Sequence, residues 1–229
     1  MREIVLDTET TGLNPENGDR IVEIGCVELE NHLPTGKTYH QYINPMRSMS
    51  EEVVAVHGLT EEFLSDKPIF SEIADEFLAF VGENTPLVIH NAVFDMNFLN
   101  CELKACGKPT LPDSQAVDTL IIARKKFPGA KVNLDELCKR FHVDASRRTV
   151  HGALLDAELL ADVYLELITD RELNFTSSKK NQQNQNVSQN LKNVSRETFA
   201  LRTWQIDPAE EQAHTEFLSK ITNPIWGES

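Results

Sequence analysis

The chain lacks several features that define familiar classes of protein. It has only four cysteines in 229 residues, and no two of them have the C-x-x-C spacing. This pattern argues against a zinc site or a disulfide framework and predicts small buried thiols in a reducing compartment. No run of about 18 apolar residues occurs, and the first residues enter a strand pattern without the apolar stretch of a signal peptide. We therefore expect no membrane span and a cytoplasmic protein.

Basic residues are also scarce, which limits how the chain could bind nucleic acid. The formal net charge is −14, from 36 acidic and 22 basic side chains. All of this excess lies in residues 1–170, because residues 171–229 contain 7 acidic and 7 basic side chains. This charge distribution argues against a broad basic surface for binding nucleic acid. It is compatible with an enzyme that holds a few nucleotides through metal ions.

The first 170 residues have the pattern of one α/β domain. Three apolar segments near the start, joined by short turns, predict an antiparallel meander. Alternating helical and strand patterns follow, so we predict a mixed sheet of about five strands flanked by helices. The predicted strands are 3–8, 20–29, 37–44, 86–90 and 115–119, and the helical patterns lie near 73–81, 93–105, 134–138 and 152–169.

The composition changes after this domain. In residues 181–193, nine of thirteen side chains are Asn or Gln, and such a segment has too little apolar surface to offset its ordering entropy. We therefore predict a folded domain at 1–172, a flexible linker at 173–193 and a short tail at 194–229.

The tail has the features of a docking segment. It contains Trp204 and Trp226, and apolar residues recur at helical spacing after Pro208. Such a segment is too short to bury a core of its own. We predict that it binds another protein, with the tryptophans as anchors; a loose tail, or a helix folded back on the domain, is the alternative.

Two carboxylates interrupt the first apolar strand. In IVLDTETTGL, residues 4–13, Asp7 and Glu9 are two positions apart and so project from the same face of a strand. The two charges repel each other, and partial burial disfavours both. The pair is either a solvent-facing strand end or a site for a hard cation such as Mg²⁺ or Mn²⁺.

Two further acids lie on helical faces that are otherwise apolar. Asp95, in HNAVFDMNFL, shares a helical face with Phe98 and Leu99. Asp156, in HGALLDAELLADVYL, is centred on an apolar stripe and therefore needs a partner or a metal. His151 lies five residues before Asp156, where its ring could reach the same cleft.

A shared cation site explains these acids most economically. Asp7, Glu9, Asp95 and Asp156 come from three separate predicted elements, and four carboxylates exceed what one Mg²⁺ needs. We therefore predict two divalent ions, Mg²⁺ or Mn²⁺, about 3.5–4 Å apart. Such sites mostly hydrolyse phosphate esters, and His151 is then the candidate general base. Removing one of these acids should also stabilise the metal-free protein.

The motifs that carry these acids resemble those of a known family. LDTETTG, HNAVFDMNFL and HGALLDA are similar to the three motifs of the DEDD 3′–5′ exonucleases, in the branch that contains a histidine. The resemblance covers about residues 3–168. It implies a ribonuclease H-like fold and an enzyme that removes mispaired 3′ nucleotides.

The resemblance also implies a role for each residue of the site. It implies that Asp7, Glu9 and Asp156 bind metal directly, that Asp95 acts through water and that His151 is the base.

A second set of residues is implied to hold the substrate. Thr10, Thr11, Gly12 and Leu13 would seat the terminal nucleotide, and His57 would lie near the site.

The whole chain resembles the proofreading subunits of bacterial DNA polymerase III. The evidence is VHGLT at 56–60, VDTL at 117–120 and the amide-rich segment before a tail with tryptophans. This resemblance implies a DNA primer 3′ end as substrate and binding of the polymerase alpha subunit by residues 194–229. The segment RELNFTSSKKN does not match a clamp-binding motif convincingly, so contact with the sliding clamp stays open.

Other functions are compatible with parts of this pattern. A free-standing exonuclease of the same branch, acting on RNA or short oligonucleotides, would share every catalytic residue but would not need the linker and tail. A non-catalytic brace for a polymerase would not need all four acids and the histidine. No glycine-rich phosphate loop occurs, which argues against a kinase.

Overall fold

A mixed five-stranded sheet forms the centre of the fold. The structure is a computed structural model that describes residues 1–146, 148, 150–169, 208–218 and 220. The strands have the order β3-β2-β1-β4-β5; the first three are antiparallel, and β4 and β5 continue the sheet in parallel with β1. The predicted mixed sheet is confirmed. Its strands are β1 (Arg2–Thr10), β2 (Ile21–Glu30), β3 (Leu33–Tyr42), β4 (Leu87–Ile89) and β5 (Ala116–Asp118).

Helices flank the sheet, and the longer ones lie where the sequence shows a helical pattern of apolar residues. The sequence does not predict α1 and α2, because seven and four residues are too few to make a helical period visible. The helices are α1 (Glu51–His57), α2 (Glu61–Leu64), α3 (Phe70–Val81), α4 (Ala92–Ala105), α5 (Thr119–Lys126), α6 (Leu134–Phe141), α7 (Ala153–Ile168) and α8 (Pro208–Leu218).

The alternation of side chains along β1 separates two hydrophobic layers. Ile4 and Leu6 are fully buried in the cluster that includes residues of α3 and α4. Val5 is fully buried on the other face, in the cluster that includes residues of α7. Burial of each such side chain contributes about 1.5–3 kcal/mol, which fixes the register of the strand. Asp7 and Glu9 therefore lie on the same face as Val5, towards α7.

A glycine in β2 allows α7 to approach the sheet at this point. Gly25 is the cross-strand partner of Asp7. A Cβ atom at Gly25 would lie 2.2 Å from the backbone nitrogen of Leu154 and 2.3 Å from the carbonyl carbon of Ala153. Only glycine leaves room for this contact. The first turn of α7, which carries Asp156, is thereby placed beside Asp7.

One carboxylate fixes the start of α4. Asp118, at the end of β5, accepts hydrogen bonds from the backbone nitrogens of Asn91 and Ala92, both at 3.2 Å. It also caps α5 by accepting a bond from the backbone nitrogen of Leu120 at 2.8 Å. Because these donors belong to the starts of two helices, Asp118 ties α4 to the end of the parallel strands. The first turn of α4, with Asp95, is held there.

The C-terminal helix is described by itself, since it belongs to a second unit, Asn174–Ser229. α8 begins at Pro208, as the helical pattern predicts, and Phe217 is exposed on it. Trp204, Trp226, the predicted linker and the segment considered for clamp binding lie outside the described residues. The domain boundaries therefore stay predictions.

The cysteines and the membrane expectation can be checked against the fold. All four cysteines are free; Cys26 and Cys138 are buried, as predicted, and burial raises the pKa of both thiols. The prediction of a buried thiol is wrong for Cys101 in α4, which is exposed, and Cys106 is only partly buried. Among the described helices, none combines the length and the apolar content needed to cross a membrane.

Candidate active site

The two acids of β1 lie in an environment that disfavours their charge. Asp7 and Glu9 are partly buried at the end of the strand. Burial raises the pKa of Glu9 to about 8, and the charges of Asp156 and Glu23 add to this effect. Burial also raises the pKa of Asp7 well above its usual value, with Asp95 and Glu9 as the next causes. A nearby cation would therefore stabilise the ionised form of both carboxyl groups.

The third acid comes from the first turn of α4. Asp95 is buried, with 3% of its surface exposed, and accepts a hydrogen bond from Thr8 Oγ1 at 2.7 Å. Burial raises the pKa of Asp95 to about 7, although the hydrogen bond from Thr8 opposes the shift. Thr8, which stands between Asp7 and Glu9, is a supporting residue that the motif did not reveal.

The fourth acid has a partner that the sequence argument missed. Asp156, in the first turn of α7, is buried and paired with Arg148. Arg148 Nε lies 2.5 Å from Asp156 Oδ1, and Arg148 Nη2 lies 2.6 Å from Asp156 Oδ2. Arg148 Nη1 also contacts Asp135 on α6. The available signal was the Arg-Arg pair at 147–148, which lies just before His151.

The histidine lies in the segment that leads into α7. Its backbone nitrogen donates to the carbonyl oxygen of Val56 at 3.1 Å, which fixes the backbone of His151. The ring is 48% exposed, and its Nδ1 lies 3.4 Å from Asp156 Oδ2 and 2.7 Å from Arg148 Nη2. The ring can therefore contact both the acids and a molecule in solution.

Three of the predicted residues form a group that could hold a metal ion. Glu9, His151 and Asp156 each offer one ligand atom, and these atoms lie within 4.8 Å of one another. Asp7 and Asp95 are outside this group, but they interact electrostatically with its acids. Carboxylate oxygens with one imidazole nitrogen suit a divalent cation such as Mn²⁺ or Mg²⁺. The side chains present therefore fit a bound metal.

The predicted substrate segment is a tight loop after Glu9. Thr10 Oγ1 donates to the carbonyl oxygen of Gly12 at 2.6 Å. The backbone nitrogen of Thr11 donates to the carbonyl oxygen of Arg20 at 2.8 Å, and Thr11 Oγ1 accepts from the backbone nitrogen of Arg20 at 3.0 Å. These bonds hold the loop while Leu13 remains 85% exposed. Leu13 therefore offers an exposed apolar side chain in the loop that follows Glu9.

A carboxylate fills the inside of this loop. Asp19 accepts a hydrogen bond from the backbone nitrogen of Asn14 at 3.1 Å and pairs with Arg47 at 3.0 Å. A Cβ atom at Gly12 would lie 2.3 Å from Asp19 Oδ2, so a larger residue at Gly12 would displace this carboxylate. Such a residue would therefore disturb the contacts of Asp19 with Asn14 and Arg47.

The last predicted residue, His57, ends α1 and is buried. Its Nδ1 accepts a hydrogen bond from the backbone nitrogen of Leu59 at 3.0 Å, while its buried Nε2 has no partner among the residues that the structure describes. Burial lowers the pKa of His57, and the charge of Glu23 opposes the shift. Glu23 is the cross-strand partner of Glu9, so a neutral imidazole lies close to the acids.

Comparison with known proteins defines the class to which this fold and site belong. The Exonuclease family (RNase_T) matches residues 4–164. A solved structure, Exonuclease X in complex with 5′ overhanging duplex DNA, is 27% identical, with a TM-score of 0.57 over 72% of this chain and 89% of that chain. The chain belongs to the exonuclease family, which confirms the predicted ribonuclease H-like fold and the predicted enzyme class.

Relatives of nearly the same length place the chain within that family. It is 50% identical over 226 residues to DNA polymerase III subunit epsilon of Rickettsia felis, covering 96% of this chain and 97% of the relative. It is 42% identical over 221 residues to the same subunit of Escherichia coli, covering 93% and 90%. Its particular place is among the epsilon subunits of DNA polymerase III, as the resemblance implied.

Proposed function

We propose that the protein is a 3′–5′ exonuclease that removes mispaired 3′-terminal nucleotides from DNA and thereby proofreads for a replicative polymerase. The observation that carries this proposal is the group formed by Glu9, Asp156 and the ring of His151, with Asp7 and Asp95 interacting electrostatically with its acids. Burial raises the pKa values of Asp7, Glu9 and Asp95, and the charges of the other site acids raise those of Asp7 and Glu9 further, which is the electrostatic state of a cation site. Similarity to epsilon subunits over nearly the whole chain supports the proofreading role.

The site is proposed to work with two divalent ions, Mg²⁺ or Mn²⁺. We assign Asp7, Glu9 and Asp156 as direct ligands and Asp95 as a ligand through water. When bound, the ions would neutralise charge on the phosphate group and lower the pKa of a bound water. The raised pKa values of Asp7 and Glu9 support this assignment, because an unbalanced cluster of carboxylates favours cations.

The protein's own side chains are proposed to move the proton and to position the substrate. His151, half exposed beside Asp156, accepts the proton of the attacking water when its ring is neutral. Thr10, Thr11 and Gly12 shape the loop that seats the terminal nucleotide, with the exposed Leu13 in contact with it. The buried Nε2 of His57, which has no hydrogen-bond partner among the described residues, is proposed as a further hydrogen-bonding group.

A free-standing exonuclease that acts on RNA or short oligonucleotides would have the same catalytic residues. No feature of the described site favours it. The similarity to the epsilon subunit of Rickettsia felis includes the tail, since it covers 96% of this chain. We therefore retain proofreading of DNA as the proposed function.

The proposed function predicts a preference for frayed ends. With Mg²⁺, the full chain should shorten single strands fastest, mispaired primers next and paired primers slowest. The reason is that the terminal nucleotide must leave its partner to enter the site, and unpairing costs a few kcal/mol, least at a mismatch. The measurement is the initial rate on labelled DNA primers of one sequence, with an RNA strand of the same sequence as comparison. Equal rates on all three DNA ends, or faster cleavage of RNA, would contradict proofreading.

We also propose that residues 194–229 bind the polymerase alpha subunit. The exposed Phe217 of α8 offers an apolar contact within this tail. Contact with the sliding clamp is not part of the proposal.

Removal of the tail should abolish binding to the alpha subunit without reducing the rate of hydrolysis. A fragment of residues 1–172 should keep the nuclease rate of the full chain, because every proposed catalytic residue precedes Ala157, but it should no longer co-elute with alpha. In the full chain, Phe217→Ala should weaken co-elution and leave hydrolysis unchanged. A peptide of residues 190–229 should co-elute with alpha without the nuclease domain. If the 1–172 fragment binds alpha as tightly as the full chain, the tail is not the anchor.

A further inference from the structure

The Arg148 guanidinium occupies the position next to Asp156 that a cation would need. Its Nε and Nη2 engage both carboxylate oxygens of Asp156, at 2.5 Å and 2.6 Å. The side chain of Arg148 is only 9% exposed, and that of Asp156 is 4% exposed. A two-point contact of this kind is the strongest form of arginine–carboxylate pair. Asp156 is thus fully engaged by the protein itself.

The charge of Arg148 also acts on the acids of β1. It opposes the upward shift in the pKa of both Asp7 and Glu9. One positive charge therefore partly neutralises three of the four acids. A divalent ion bound by Asp156 would lie close to this guanidinium, and the two like charges would repel each other.

Arg148 has a second acidic partner besides Asp156. Its Nη1 contacts Asp135, whose side chain is 53% exposed at the start of α6. The guanidinium can therefore leave Asp156 and stay paired with Asp135. The same movement would release His151. Its Nδ1 lies 2.7 Å from Arg148 Nη2. While Nδ1 accepts this hydrogen bond, its lone pair is not free to accept a proton.

We propose that Arg148 is an internal counter-ion that holds Asp156 in the metal-free protein and competes with divalent metal for it. Metal loading then requires the guanidinium to leave Asp156, and this exchange also frees a ring nitrogen of His151. The proposal rests on the proposed function, because it takes Asp156 as a metal ligand.

The test is Mn²⁺ binding to the full chain without DNA, measured by calorimetry. Arg148→Gln should bind Mn²⁺ more tightly, on the order of 5- to 150-fold, which is the usual range for coupling between two sites. Arg148→Lys should lie between, because an ammonium keeps the charge but not the two-point contact. Arg124→Gln, which removes the same charge from the exposed side of α5, should bind as the parent does.

Melting temperatures give a second measurement that does not depend on hydrolysis. Metal-free Arg148→Gln should melt lower than the parent, because the buried Asp156 loses its partner, and Mn²⁺ should raise its melting temperature by more. If Arg148→Gln binds Mn²⁺ no more tightly than the parent, the competition does not exist.

A further variant separates failure of this inference from failure of the proposed function. Asp156→Asn should lose most Mn²⁺ binding. If it does, and Arg148→Gln still binds as the parent does, the metal site stands and the counter-ion role is wrong. If Asp156→Asn binds Mn²⁺ as the parent does, Asp156 is not a metal ligand. The proposed ligand set and the proposed competition between Arg148 and metal are then both wrong.

Discussion

Asp7→Asn should reduce hydrolysis of a DNA primer by on the order of 10³-fold or more while the protein remains folded. A lost metal ligand removes several kcal/mol of charge stabilisation from the transition state, and each 1.36 kcal/mol corresponds to about a tenfold change in rate. Glu9→Gln should have a similar effect. The measurement is single-turnover hydrolysis in Mg²⁺, with circular dichroism as the control for folding. Near-normal turnover of either variant would show that its acid is not a ligand.

The same variants should change stability in a way that depends on pH. Because the pKa of Glu9 is raised to about 8, the folded protein binds this proton more tightly than the unfolded chain does. The stabilisation from this proton is present at acid pH, and it is lost as the pH rises through about 8. Glu9→Gln should therefore raise the melting temperature of the metal-free protein more above this pKa than at acid pH.

Asp156 should behave differently from the acids of β1. The sequence argument expects its removal to stabilise the metal-free protein, as for the other acids. The pair with Arg148 reverses this expectation, because Asp156→Ala would leave a guanidinium that is 9% exposed without its main partner. Asp156→Ala should therefore abolish hydrolysis and lower the melting temperature without metal.

His151→Ala should lower the rate of hydrolysis by on the order of 10²- to 10⁴-fold, the usual effect of losing a general base. We expect the rate of the parent to rise with pH, because only a neutral imidazole can accept the proton of water, and we expect the remaining rate of His151→Ala to lack this rise. The measurement is the rate in Mg²⁺ across the pH range in which imidazoles titrate.

Metal binding distinguishes this role from its alternative. His151, Glu9 and Asp156 offer ligand atoms within 4.8 Å of one another, so the ring could also be a ligand. If His151 is the base, His151→Ala should bind Mn²⁺ as the parent does. Loss of Mn²⁺ binding in this variant would instead assign His151 as a ligand.

The sequence predicts those parts of the fold and site that follow a period. Asp7 and Glu9 stand out because a buried strand has a period of two, and Asp156 stands out against the apolar stripe of α7. The longer helices are predicted from their apolar periods, and the five strands from alternating or short apolar segments. A carboxylate at an apolar position is visible in a sequence because it breaks a pattern.

Features that depend on contact between distant segments could not be predicted in this way. Arg148 lies in an irregular segment where no period indicates the direction of its side chain. Gly25 looks like a weak point within a strand until α7 is placed against it. Asp118 caps α4 and α5 together, which requires the order of β4 and β5 in the sheet. For Gly25 and Asp118 the partner lies far away in the chain, and for Arg148 it lies across an irregular segment whose course the sequence does not indicate.

The most direct test of the central claim is anomalous diffraction from crystals of the protein with Mn²⁺ and a deoxynucleoside monophosphate. The account predicts two ions about 3.5–4 Å apart, bound by Asp7, Glu9 and Asp156 and, through water, by Asp95. It also predicts that Arg148 no longer contacts Asp156. Absence of Mn²⁺ from this cluster, or Mn²⁺ bound elsewhere with the Arg148–Asp156 pair intact, would contradict it.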